Sequence, residues 1–102
     1  MSRGIPLAKL EEEFTAQLWA DHRYARTHGF KAPKGNRYEQ MLRRHGGSET
    51  AHRLLRNKVQ PGLTDRAKLG LLDMSIEARI IEPPWHPLFS PAEIAETQRR
   101  LE

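Results

Sequence analysis

The chain has no cysteine. Disulfides, thiolate zinc sites and thiol nucleophiles are therefore excluded, and the absence fits a reducing compartment. Long apolar runs are also missing. The longest hold two or three residues, far short of the roughly 20 that cross a bilayer as a helix. The opening Met-Ser-Arg-Gly-Ile-Pro carries no apolar stretch of the kind a secretory signal needs. A cytoplasmic protein with no membrane partner is the expectation. Hydrophobic residues make up 37% of the chain, below the usual ~45–50% even after allowing for how glycine is counted. With 29% charged residues, that implies a small core under a polar coat. At 102 residues the chain fits a single domain, 1–102.

Catalytic patterns are scarce as well. Gly46-Gly47 is not followed by Gly-Lys-Ser/Thr, so no phosphate-cradling loop forms there. Asp73 and Glu77 are one helical turn apart, a spacing that suits a pair of acid–base carboxylates. Ser75 lies between them, so both read better as helix-start residues complementing the dipole. His22 and His28 are six apart and His45 and His52 seven apart. Neither pair has the i, i+4 spacing of two ligands on one helical face, the second pair is split by the Gly46-Gly47 turn, and no acidic residue completes a motif. The expectation is a protein that is not an enzyme, with no cofactor and no metal.

What the chain does have is charge, unevenly spread. Residues 21–68 hold twelve Lys/Arg against four acids, a net of +8. Residues 1–20 carry −1 and residues 69–102 carry −3, which gives the overall +4. A basic middle between mildly acidic ends points to a polyanion or an acidic protein surface as partner. The bland alternative is a solvated face with no ligand.

The apolar pattern is helical nearly throughout. Leu7, Leu10, Phe14 and Leu18 make one stripe, so a long first helix is expected over 6–28, opened by Pro6 and closed by Gly29. Glu11–Glu13 and Arg23, Arg26 and His28 would complement its dipole. Residues 29–35, with Pro33 and Gly35, read as a loop, and 36–102 as a compact helical module. There Asn36 and Glu39 suggest a capping box for a second helix, ended by Gly46-Gly47, with Ser48 capping a third. Thr64 would cap a fourth helix stopping at Gly70, and Ser75 a fifth. Residues 76–81 could instead form a strand, but no second β-rich run offers a partner. Ser90, Pro91 and Glu93 spell a capping box, and Phe89 with Ile94 a hydrophobic staple. Trp85, Leu88 and Phe89 would seal that last helix onto the core. The fold class is thus all-α: one small domain of five or six short helices behind a longer N-terminal one. The expected core is Leu10, Phe14, Leu18, Met41, Leu42, Leu54, Leu55, Leu72, Ile76, Ile80, Trp85, Phe89 and Ile94.

Arg37 and Arg44 fall near one face of the second helix, and Arg53 and Arg56 are neighbours on the third. Gathered on one side, they would hold phosphates by charge and counterion release without reading sequence. A sequence-reading helix-turn-helix is a poor match, since aligning Gly46 with the turn glycine puts His45 and His52 where apolar residues belong. Tyr24, Phe30 and Tyr38 among the cations suit stacked single-stranded bases, although both tyrosines also read as half-buried rings with a surface hydroxyl.

From Arg37 onward the chain resembles a group of small uncharacterised bacterial proteins and C-terminal modules. The residues that carry the likeness are Tyr38, Gln40-Met41, Gly46-Gly47, Ala51, Leu54-Leu55, Gly62, Leu69-Gly70 and the run Leu72 to Ala78. Pro83, Trp85, Leu88-Phe89-Ser90, Glu93 and Arg99-Arg100-Leu101 follow. The tryptophan common in the group's fourth helical segment is absent at Arg66-Ala67-Lys68-Leu69. The resemblance implies a compact helical module and brings no activity.

The leading expectation is a basic accessory module contacting nucleic-acid backbone through Arg37, Arg43, Arg44, Arg53, Arg56 and Lys58. The alternative is an adaptor that docks on another protein or on a second copy of itself, as a homodimer, through Leu18 and Trp19 of the first helix.

Overall fold

Leu10, Phe14 and Leu18 recur every four residues, the spacing that returns a side chain to the same helical face. A computed structural model describes residues 6–29, 37–56 and 75–101 and shows what that face meets. The elements are α1 (Leu7–Thr27), α2 (Arg37–His45), α3 (Gly47–Leu55), α4 (Ile76–Ile80), a 3₁₀ segment (Pro83–Leu88) and α5 (Pro91–Leu101). No strand occurs among the described residues. The fold is all-α, with one long N-terminal helix followed by short ones, and 76–80 is helical. The expected loop at 30–35, the Asn36 cap, the Thr64–Gly70 helix and the core position Leu72 lie outside the described residues.

Helix α1 packs against α3 and the 3₁₀ segment, α2 pairs with α3, and α4 pairs with α5. The Phe14 ring lies 5.3 Å from Trp85 and 5.4 Å from Phe89, centroid to centroid. Leu18, Leu42, Ala51, Ile76 and Ile80 complete the buried cluster. Leu54, Leu55, Trp85 and Ile94 border it half-buried, and Met41 is half-buried. Burying a ring such as Phe14 contributes roughly 1.5–3 kcal/mol, so few rings suffice for a core this small.

Two caps follow the local grammar. The Ser75 hydroxyl accepts the Ala78 N–H at 3.1 Å, opening α4. At α5, Ser90 N–H donates to Glu93 Oε1 at 2.9 Å and Glu93 N–H donates to Ser90 Oγ at 3.1 Å, a complete capping box. Phe89 and Ile94 join the same core cluster behind it.

Other ends depart from expectation. Pro6 is the N-cap of α1, just outside the helix, not within its first turn. Ser48 does not cap α3. The helix begins one residue earlier, at Gly47, with Gly46 in the cap position at φ +81°. Its free N–H groups are met from α1: Gly47 N–H donates to Thr15 Oγ1 at 2.7 Å, and Ser48 N–H to the Glu11 carboxylate at 3.2 Å. The Thr15 hydroxyl donates its own proton to Glu11 Oε2 at 3.0 Å. Glu11 therefore complements the dipole of α3, not that of its own helix. At the far end of α3, the Arg100 guanidinium donates to the Leu54 and Leu55 carbonyls at 3.4 and 3.0 Å.

A buried polar relay ties α1 to the C-terminal half. Asp21, 4% exposed, accepts two bonds from Arg79, at 2.7 and 3.0 Å, and one from Gln17. Arg79 also donates to Glu82, whose other oxygen accepts the Trp85 indole N–H at 3.1 Å. The Asp21 hydrogen bonds hold the Arg79 guanidinium more firmly protonated than usual, against its partial burial.

Candidate nucleic-acid interface

The apolar positions of α2 decide which of its side chains meet solvent. Leu42 is buried, and Tyr38, Met41 and His45 are half-buried on the same side. The opposite arc is left to Arg37, Gln40, Arg43 and Arg44, all exposed. Arg37 and Arg44, seven positions apart, differ by roughly 20° around the axis, while Arg43 is turned about 100° from Arg44. The outer face of α2 therefore carries three cations and no acid.

The one carboxylate of α2, Glu39, is turned inward to α1. Its Oε2 accepts from His22 Nε2–H at 2.8 Å and from Arg26 at 2.5 Å. Because a carboxylate can only accept, the His22 proton sits on Nε2. The His22 hydrogen bond, then that of Arg26, holds the Glu39 carboxyl below the usual carboxylate range in spite of burial. His22 is 2% exposed, its ring lies 5.2 Å from Tyr38, and its Nδ1 is buried without a partner.

Arg43 also reaches α1. Its guanidinium lies 5.4 Å from the centre of the half-buried Trp19 ring, within cation–π range. Arg23 follows Trp19 by four residues and so shares its helical face. Trp19, His22, Arg23, Arg26, Thr27 and Glu39 line an open groove of about 430 Å³ between the helices.

Around α3 the exposed side chains are Arg53 and, just past its end, Arg56. Arg53 pairs with Glu49 at 2.9 Å, both partly open to solvent, a geometry worth ~0.3–0.5 kcal/mol. Lys58 lies outside the described residues. The structure gives Arg23, Arg37, Arg43, Arg44 and Arg56 no carboxylate partner among the described residues.

Of the six expected cations, Arg37, Arg43 and Arg44 share the outer arc of α2, while Arg53 stands on α3 and Arg56 just past its end. The other half of the expectation, a partner-facing Leu18, is corrected: Leu18 is 1% exposed and belongs to the core. Trp19 is at the groove. Arg23 and Arg26 were not among the expected site residues, although their spacing from Trp19 places them beside it. Tyr24 is 43% exposed and stacks on His28 at 3.8 Å, on the far side of α1 from the groove. Tyr38 is half-buried against His22.

Among the described residues no group of His, Asp and Glu side chains converges as metal ligands would. No helix there is long and apolar enough to cross a membrane. Comparison with protein-family models, with curated proteins and with solved structures finds no match to this chain.

Proposed function

We propose that this protein is a small non-enzymatic module that contacts nucleic-acid backbone through its central helices. One observation carries the reading: the exposed side chains of α2, α3 and the residue after it are Arg37, Gln40, Arg43, Arg44, Arg53 and Arg56. Five of the six are arginine, and the acids of the same segment, Glu39 and Glu49, are each tied to an arginine. Guanidinium groups suit phosphate through their forked donors and permanent charge. Such contacts release counterions and carry no sequence information.

The adaptor reading has less to stand on. The stripe of α1 that would cover a partner helix is used internally, since Leu10, Phe14 and Leu18 are all buried. Of that stripe only Leu7, 61% exposed, meets solvent as a large apolar side chain.

The test is electrophoretic or anisotropy binding to random-sequence DNA, comparing the native chain with Arg37→Glu combined with Arg44→Glu. Neither residue has a packing role, so the doubly substituted protein keeps its helical spectrum. Its salt slope falls by about 1 for each phosphate that it no longer holds. Binding unchanged by the pair overturns the reading.

A further inference from the structure

The groove between α1 and α2 differs in kind from the convex arginine face beside it. It is a recess, it has an indole in its wall, and it is rimmed by guanidinium groups. A phosphate surface for duplex DNA has no use for a recess of this kind, because duplex bases are stacked away inside the helix. An unstacked base has a flat π-face and a phosphate attached to it, and needs both a ring to lie on and a cation within reach.

We propose that this groove receives an unstacked nucleobase beside Trp19, so that the ligand of the basic face is single-stranded nucleic acid. The inference rests on the reading of that face as a nucleic-acid surface. The groove is open to solvent, with a volume of about 430 Å³, so a base laid in it would keep one edge in water. Arg43 stands outside the groove's lining with its guanidinium 5.4 Å from the indole centre, so a base approaches the ring from the groove side, where Arg23 lines the wall one turn further along α1. These two are the groups that take the phosphates on either side of the base. Arg26 is committed to Glu39. That pairing also matters for the anion: Glu39 is the acid in the groove, and its charge is answered by Arg26 and by the His22 N–H. His22 lines the groove and is held from behind by the Tyr38 ring at 5.2 Å.

The test uses the full chain and fluorescein-labelled oligo(dT), with a duplex of the same length as comparison. The single strand binds more tightly than the duplex. Trp19→Leu weakens the single strand about tenfold or more, as loss of a stacking ring does, and leaves the duplex unchanged. Trp19→Phe keeps most of the affinity. Because Trp19 also touches the core, a Trp85→Phe background gives a second reading: oligo(dT) quenches the remaining indole and duplex does not. Equal binding of both nucleic acids, with no quenching and with Arg37→Glu still weakening them, overturns the base-binding groove while leaving backbone binding standing. Binding of neither overturns both.

Discussion

Thr15 in α1 caps the first N–H of α3: its Oγ1 accepts the bond from Gly47 N at 2.7 Å. This contact brings α3 so close to α1 that residue 47 has no room for a side chain. A Cβ there would sit 2.8 Å from Phe14 Cδ2 and 3.0 Å from the Thr15 backbone. Gly47→Ala is therefore expected to cost roughly 1–3 kcal/mol, as overpacking does. Thr15→Val keeps the volume and removes the acceptor, at ~1 kcal/mol. Thermal or urea unfolding of the two variants checks both values. A Gly47→Ala protein as stable as the native one contradicts the close approach.

The Asp21–Arg79 pair joins α1 to α4 across a sequence separation of 58. Asp21→Asn removes the charge opposite the half-buried Arg79 guanidinium and one of its three carboxylate bonds, leaving one amide oxygen at residue 21 and the bond to Glu82. The expected loss is roughly 1–3 kcal/mol, the cost of weakening a hydrogen bond to a charged group, and it falls short of full orphaning because Glu82 still holds Arg79. Asp21→Asn with Arg79→Met removes both charges and should recover much of that loss. Equilibrium unfolding of the double-mutant cycle measures the coupling. A coupling near zero would show that the relay does not hold α1 to the C-terminal half.

Much of this architecture is legible locally and some of it is not. Ser75 and Ser90 cap their helices as their neighbours imply, because an N-cap bond spans three residues. The arginine face of α2 follows from periodicity, since placing Tyr38, Met41, Leu42 and His45 inward leaves 37, 40, 43 and 44 outward. Ser48 misleads for the opposite reason. The carboxylate that meets its N–H, Glu11, lies 37 residues away, and no local pattern announces such a partner. The same holds for Asp21, which reads as the acid at the edge of a basic run and is buried by a distant arginine. Leu18 and Trp19 are neighbours in one helix, yet one is core and the other groove, because successive residues are about 100° apart around the axis and only the Leu10–Phe14–Leu18 stripe is turned fully to the core.

Acid should loosen the structure through three carboxylates. Glu39 is held low by His22 and Arg26. In Glu93, burial is outweighed by the Ser90 N–H and by His52, whose Nδ1 lies 2.5 Å away. Glu96 is pulled down to about 2 by Arg99 and then Arg100. Each has a lower folded than unfolded value, so the folded chain resists protonation. The stability they contribute is complete above about 4.5, the ordinary carboxyl value, and drains as pH falls toward the folded values. Melting temperature is expected to decline through that window. Glu93→Gln, which removes one of these carboxylates, should flatten the decline. A melting temperature that holds level down to about pH 2.5 contradicts the assigned ion pairs.

The central claim is that the arginines of α2, with Arg23 and Arg56, act together on phosphate. It is tested most directly by measuring affinity for random-sequence nucleic acid as a function of salt. With about five phosphates held, log affinity should fall with log salt at a slope of roughly −4 to −5 on duplex DNA, and somewhat less steeply on a single strand. Reversing Arg37, Arg43 and Arg44 to glutamate should remove most of that slope together with most of the binding. Affinity that does not change with salt, or no binding at low salt by a chain that is fully folded, would contradict the account.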